Sequence, residues 1–111
     1  MKLFFRSSKF QKLCNTDKAM LTQLGEKRAR KLKQRLMELQ AADTLQQIAR
    51  VPPPRCHELS ADRQGQLSVD LDHPYRLIFI PADDPTPTRE DGGLDWARVT
   101  AVELLEIADT H

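Results

Sequence analysis

Four residues of this 111-residue chain could together carry out acid–base chemistry on a phosphate: His57, Arg76, Asp109 and His111. An imidazole can take up and release protons because its unperturbed pKa lies near neutrality, and a guanidinium stays charged. Two histidines and an arginine suffice to cleave an RNA phosphodiester without a metal. One imidazole takes the proton from the 2′-OH, another group protonates the leaving 5′-oxygen, and the guanidinium neutralises charge on the phosphorane. Asp109 would orient the ring of His111 or carry a proton itself.

Each of these residues also has a simpler interpretation. An arginine is rarely buried without a partner, so the strand around Arg76, taken alone, favours an ion pair with an acidic residue on a neighbouring strand. A single histidine is most often a surface or hydrogen-bonded residue, and one at the end of a chain, such as His111, can fray. For His73, in a predicted turn, we assign no catalytic role.

Arg76 lies in the segment around which the chain is organised, a predicted β-hairpin. Residues 66–71 alternate between polar and apolar side chains, which is the two-residue period of a half-buried strand. Residues 75–80 are rich in aromatic and β-branched side chains, as is typical of a strand near the centre of a sheet. Asp72, His73 and Pro74 form the turn between them. By parity, Arg76 lies on the face opposite Tyr75.

Helical patterns fill the N-terminal half of the chain. Leu3–Phe5 is a short apolar run with strand character, and Ser8 followed by Gln11 fits a capping box, so a helix is predicted to begin there. A longer helix is predicted from about Thr22 to Gln40, and a short one over Thr44–Ala49. The inward stripe of the long helix, at helical spacing, consists of Ala29, Leu32, Leu36 and Leu39.

Prolines then separate the helices from the sheet. Residues 52–54 are all proline and predict an extended segment, followed by a short strand over Arg55–Leu59. Pro81–Asp95, rich in proline, glycine and acidic residues, predicts a mobile acidic loop, and Val99–Ala108 predicts a final strand. The predicted fold class is α+β: one domain over residues 1–111, with N-terminal helices packed on a mostly antiparallel sheet.

The net charge of +1 conceals a segregation of charge along the chain. Up to Arg63 there are fourteen Lys and Arg against six Asp and Glu, and beyond it three against ten. Such asymmetry favours a basic surface for a polyanion. For the outer face of the long helix, RNA binding stands beside the simpler interpretation of a solvated helix face. The basic residues of that face are Lys27, Arg28, Arg30, Lys31, Lys33 and Arg35.

Composition also limits the compartment and the cofactors. No stretch approaches the apolar length of a membrane helix, and the N-terminus becomes polar too soon for a signal peptide, so we expect a cytoplasmic protein. Cys14 and Cys56 fit no metal spacing and are expected to be reduced, partly buried thiols. We therefore expect neither a metal nor another cofactor.

A set of motifs in the second half of the chain resembles a known family. The chain contains a run H-x-L-x-x-D-R-x-G-x-x-S, then an aromatic–Arg strand, then a closing E-I-x-D-x-H. The matching residues are His57, Leu59, Asp62, Arg63, Gly65, Ser68, Tyr75, Arg76, Glu106, Ile107, Asp109 and His111. In this order they resemble the HigB-type toxins, the "plasmid maintenance killer" branch of the RelE/ParE superfamily. The helices agree only in order and pattern.

The resemblance implies a compact RelE-like fold and a ribosome-dependent mRNA endonuclease that cuts by 2′-OH attack without a metal. It also implies a HigA-type helix-turn-helix antitoxin as partner, with operator DNA bound only through the complex. On this resemblance His57, Arg76, Asp109 and His111 fall on catalytic positions. The basic helix, together with Arg63, would face ribosomal RNA.

Two features of the sequence depart from that family. The family usually has an aromatic residue between the acid and the last histidine, where this chain has Thr110. The acidic loop is also longer than usual, and near an RNA-binding face it would repel phosphate.

Three hypotheses follow. The first, which we favour, is an active mRNA-cleaving toxin. The second is a catalytically weak binding module that acts with its antitoxin in autoregulation. The third is a ParE-like gyrase poison, which would not need His57 or His111.

Overall fold

The structure is a computed structural model that describes residues 1–110. It begins with strand β1 (Lys2–Phe5) and helix α1 (Ser8–Asn15), both close to their predicted positions. The residue that caps α1 is Ser7, whose Oγ accepts a hydrogen bond from the Phe10 N–H at 3.1 Å. The predicted capping box starting at Ser8 is therefore wrong: the cap lies one residue earlier, and the residue three positions after it is Phe10, whose side chain cannot bond back to the cap.

Helix α2 spans Asp17–Ala41, so it begins five residues before the predicted Thr22. Its backbone leaves helical geometry at Gly25, where φ is 80° and ψ is 166°. A glycine adopts this conformation without steric cost, so two helical segments join at a kink. Because the kink at Gly25 interrupts the helical period, the sequence pattern did not show that the helix begins at Asp17.

The predicted inward stripe of α2 is confirmed. Ala29, Leu32 and Leu39 are buried in the core, and Leu36 packs against it half-buried. The predicted outer face is wrong in one member, because the side chain of Arg35 is only 3% exposed. Its Nε donates to the backbone carbonyl of Asp70 at 2.7 Å, and its Nη1 contacts Glu38 Oε1 at 3.0 Å.

Five strands form one sheet in the order β1-β5-β4-β3-β2. The other four strands are β2 (His57–Glu58), β3 (Leu67–Asp70), β4 (Tyr75–Pro81) and β5 (Ala101–Asp109). β1 pairs with β5 in parallel, and all other neighbours are antiparallel. The predicted hairpin, final strand and α+β class are therefore confirmed.

The two faces of the sheet have different coverings. Leu77 and Phe79 of β4 lie in the hydrophobic core with the buried residues of α2. On the opposite face Ser68 and Ile78 are also fully buried, although the alternation of β3 predicted a polar, open face for Ser68. Residues 59–66 cross this face, and Arg63 Nη1 reaches Glu106 Oε2 of β5 at 3.7 Å. Both faces of the central strands are thus covered.

The chain between α2 and β3 is more sharply turned than predicted. Instead of an extended segment, residues 51–54 make a turn, closed by a 3.0 Å hydrogen bond from the Arg55 N–H to the Val51 carbonyl. Arg55 has a positive φ of 45°, which excludes it from the following strand. The predicted helix over Thr44–Ala49 is reduced to a 3₁₀ helix at Leu45–Gln47. A second 3₁₀ helix, Ala61–Arg63, lies in the predicted loop before Gly65, whose φ is 90°.

The acidic segment contains more internal contacts than its composition suggests. Thr88 and Leu94 form an isolated β-bridge, and Trp96 just beyond is buried. Asp83 accepts hydrogen bonds from the backbone N–H groups of Thr100 and Ala101. Burial would raise the pKa of Asp83, but these hydrogen bonds and one from the Thr100 hydroxyl lower it overall. That this segment is mobile stays a prediction. The structure nevertheless shows contacts within it and to β5 that its composition did not suggest.

Arg35→Ala is expected to destabilise the fold through two lost contacts. It leaves the partly buried Asp70 carbonyl without this donor and, among residues 1–110, the Glu38 carboxylate with only the hydrogen bond from Gln34, so we expect the free energy of unfolding to fall by about 2–4 kcal/mol. Lys33→Ala is the matched control, because Lys33 pairs with Asp17 at 3.2 Å but is half exposed. Its effect should stay within about 0.5 kcal/mol. Urea denaturation measures both, and equal losses would contradict the structural role of Arg35.

The two thiols, Cys14 and Cys56, give a prediction for alkaline pH. Burial raises the pKa of each from 9.0 to about 12. The folded protein therefore holds these protons more tightly than the unfolded chain. Their contribution is complete below about pH 9 and is lost as the pH rises towards 12. Urea denaturation at increasing pH should show falling stability above pH 9, less so in Cys56→Ala. A thiol that reacts with a disulfide reagent as fast in the native as in the unfolded protein would contradict this.

Candidate active site

A cleft of about 590 Å³ opens where strand β2, strand β4 and the end of β5 meet the Ala61–Arg63 helix. His57, Arg76 and Asp109 all line it, together with Thr110 and Arg63. Strand pairing explains this convergence. His57 stands opposite Ser68 of β3, and Arg76 stands opposite Ala108 of β5. The structure thus brings together three of the four predicted catalytic residues, while His111 lies outside the described residues.

The hydrogen bonds of His57 fix its neutral tautomer. Its Nδ1 lies 3.1 Å from the backbone carbonyl of Arg55, which can only accept, so Nδ1 carries the proton. Its Nε2 lies 3.4 Å from Arg76 Nη1, which can only donate. The neutral ring therefore directs its Nε2 lone pair at Arg76, on the wall of the cleft. This is the form of histidine that can remove a proton from a hydroxyl.

Arg76 is a buried cation on the wall of the cleft, only 7% exposed. Its Nε lies 3.4 Å from Asp70 Oδ1, on the neighbouring strand, as the ion-pair interpretation predicted. Burial lowers the pKa of Arg76, the nearby charge of Arg55 lowers it further, and Asp70 and Asp109 partly offset both. Arginine still remains charged in proteins. Arg76 therefore both pairs with Asp70 and lines the cleft.

The sequence did not identify Asp70 and Arg55, which support the site. Asp70 Oδ2 accepts from Arg55 Nε at 2.8 Å, and Asp70 Oδ1 accepts from Arg55 Nη2 at 3.1 Å. This bidentate pair raises the pKa of Arg55. Antiparallel pairing about the 72–74 turn sets Asp70 directly opposite Arg76. The hairpin register could have shown this pairing, whereas the position of Arg55 depends on the turn before β2.

The end of β5 forms the outer rim of the cleft. Asp109 is exposed and stands opposite Tyr75 in the β4–β5 register. Thr110 is half-buried, and its hydroxyl oxygen is buried without a hydrogen-bond partner among residues 1–110. Thr110 is the position where the resembled family has an aromatic side chain, so here the rim presents a small polar group.

The basic residues predicted to bind RNA divide into several environments. Lys27, Arg30 and Lys33 are exposed, and Lys31 is half-buried. Arg28 stacks over the Tyr75 ring at 3.6 Å and bonds Asp72 at 3.0 Å, so it joins α2 to the turn of the hairpin. Tyr75 stands opposite Asp109 of the cleft rim, whereas the lining of the cleft includes no residue of Asp17–Ala41. Arg63 lines the cleft itself, whereas Arg35 is buried and cannot form part of an RNA surface.

Two further searches of the described chain concern metals and membranes. Among residues 1–110, no group of His, Cys, Asp and Glu side chains is arranged to hold a metal ion. None of the helices in that range combines the length and apolar character needed to cross a membrane.

Comparison with solved structures finds a likeness of fold. A chain of the YoeB–YefM complex from Staphylococcus aureus superposes with a TM-score of 0.55 at 14% sequence identity. The match covers 100% of this chain and 97% of the other. The two chains share one fold, which is of the predicted α+β class. No family model and no curated protein matches the sequence.

Arg76→Ala is expected to leave a folded protein that binds anions weakly. Asp70 keeps its two hydrogen bonds to Arg55, so the substitution leaves no carboxylate without a partner. We expect cooperative unfolding and a loss of about tenfold or more in affinity for an RNA trinucleotide with 2′-O-methyl groups, which cannot be cleaved. NMR titration measures the affinity. The control is Arg89→Ala, because Arg89 is exposed and does not line the cleft. If the affinity is unaltered, Arg76 does not bind the phosphate.

Proposed function

We propose that this protein is the toxin of a type II toxin–antitoxin system and a metal-independent, ribosome-dependent mRNA endonuclease. The observation that carries the proposal is the arrangement of His57, with Nδ1 bonded to a carbonyl and Nε2 facing the cleft beside Arg76. The family resemblance of the motifs and the fold shared with a chain of the YoeB–YefM complex support the same assignment. A ribosome-dependent enzyme would work in the cytoplasm.

The proposed reaction is an internal transfer of the phosphate. Nε2 of His57 removes the proton of the 2′-OH, and the 2′-oxygen attacks the adjacent phosphorus. Arg76 neutralises the negative charge that builds on the non-bridging oxygens. The bond from phosphorus to the 5′-oxygen breaks, and that oxygen takes a proton from His111 or Asp109. The products are a 2′,3′-cyclic phosphate and a free 5′-OH, with no metal or other cofactor consumed.

The ribosome and an antitoxin are the proposed partners. The exposed cations of α2, with Arg63 in the cleft, provide contacts for ribosomal RNA and mRNA backbone. The YoeB–YefM structure is a complex of two proteins, which agrees with an antitoxin partner for this chain. From the motif resemblance we propose a HigA-type helix-turn-helix antitoxin, with operator DNA bound only by the pair.

The deciding experiment is induced expression in a bacterial host, with mRNA 5′ ends mapped across the transcriptome. We expect growth arrest and cuts in frame within coding regions for the wild type, both lost in His57→Ala and in His111→Ala. His73→Ala is the matched control, because His73 is exposed in the hairpin turn and should cleave normally.

The other outcomes separate the alternative functions. Arrest without mRNA cuts, and unchanged by His57→Ala, would point to a gyrase poison of the same fold. Absence of arrest in the wild type would leave a binding module that acts with its antitoxin. Thr110 on the cleft rim is the feature that favours this last alternative, since an aromatic side chain could stack on a base where a threonine cannot.

A further inference from the structure

Arg55 is held in an uncommon backbone conformation whose effect reaches His57. Its φ of 45° lies in the left-handed region, which a non-glycine residue enters only where surrounding contacts hold it. Those contacts are present on both sides: the Arg55 N–H donates to Val51, and the Cys56 N–H donates to Ala49 at 2.9 Å. The result is that the Arg55 carbonyl accepts from His57 Nδ1. The backbone of Arg55 thereby sets the tautomer and direction of the ring.

The backbone of Asp70 is fixed from three directions. Its N–H donates to the Pro54 carbonyl at 2.7 Å, and its carbonyl accepts from Arg35 of α2 at 2.7 Å. Within the sheet it stands in register with Arg76. The carboxylate therefore has a backbone that cannot shift without breaking contacts to the turn, the helix and the sheet. Such support is what a site needs to hold its reacting groups in place.

The side chains join these two fixed points. Asp70 binds Arg55 through both carboxylate oxygens, and Oδ1 also lies 3.4 Å from Arg76 Nε. One carboxylate thus stands between two guanidinium groups that repel each other. Without this negative charge, less attraction would oppose the repulsion between Arg55 and Arg76, even with Asp109 nearby, so the position of Arg76 against His57 would be less favoured.

We propose that the Arg55–Asp70 pair is the positioning unit of the cleft: the Arg55 carbonyl orients His57 while the Asp70 carboxylate holds Arg76 beside it. The unit acts through these two residues and contacts no reacting atom itself. The inference rests on the proposed function for its catalytic consequence, and on the geometry alone for its effect on His57 and Arg76.

The test substitution is Asp70→Asn, compared with Asp95→Asn. Asp95 accepts from Arg98 Nε at 2.8 Å, the same distance as in the Arg55–Asp70 pair, but lies outside the cleft. Both substitutions remove one negative charge. On programmed ribosomes, Asp70→Asn should lower the single-turnover cleavage rate by about tenfold or more, because a small displacement of reacting groups is costly. Its affinity for the ribosome should be unchanged or tighter, since the site becomes more positive. Asp95→Asn should change neither.

A second measurement needs no activity. Long-range ¹H–¹⁵N NMR spectra of the whole protein report which ring nitrogen of His57 carries the proton, and the Arg76 Nε–H signal reports its partner. We expect Asp70→Asn to alter the Arg76 signal, Arg55→Ala to alter the His57 nitrogen shifts, and Asp95→Asn to leave both as in the wild type. Signals unchanged in the first two variants would overturn the positioning role. So would a wild-type cleavage rate in Asp70→Asn.

The two proposals fail separately. If the wild type does not cleave mRNA, the proposed function is wrong, while altered NMR signals would still support the positioning unit. If the wild type cleaves and Asp70→Asn cleaves equally well, the function stands and the positioning unit is wrong. Thermal unfolding of each variant distinguishes either result from loss of the fold.

Discussion

Across the β3–β4 hairpin, a single carboxylate, that of Asp70, faces two guanidinium groups, and the geometry of the cleft depends on it. Arg76 is almost fully buried, and a cation in that position needs a compensating charge. Asp70 supplies it from the register position directly opposite. Arg55 approaches the same carboxylate from the turn before β2. The hairpin therefore brings the charges of Asp70 and Arg76 together, and contacts from the rest of the fold hold the hairpin in position.

Helix α2 contributes to this arrangement more than its exposed surface suggests. Two of its six predicted surface cations are used inside the fold: Arg35 bonds the Asp70 carbonyl, and Arg28 stacks on Tyr75 and pairs with Asp72. Both attach the helix to the turn end of the hairpin. A helix face that is read as basic in the sequence thus includes residues that hold the sheet, and only the remaining cations are available to a polyanion.

The sequence was sufficient for those features that depend on local patterns. The hairpin follows from alternation in its first strand, the other strands from aromatic and β-branched composition, and the apolar stripe of α2 from helical spacing. The structure confirms all of them. The features that the sequence did not predict depend on contacts between distant segments. The burial of Arg35 depends on where β3 ends, and the strained backbone at Arg55 depends on a proline turn that composition alone predicts as extended. Gly25 shows a further limit, because one positive φ divides a helix without interrupting its composition.

The same distinction applies to the candidate site. His57, Arg76 and Asp109 were selected for their chemistry and by resemblance, and the sheet order brings them to one cleft. Asp109 comes from the last strand, which lies between β4 and the first strand of the chain. Asp109 reaches the cleft through the pairing of β5 with β4, in which it stands opposite Tyr75. The supporting residues of the cleft, Arg55 and Asp70, are contributed by the middle of the chain. Because the site is assembled from segments so distant along the chain, its chemistry depends on the whole fold, and a substitution outside the cleft can affect activity through the positions of these few charges.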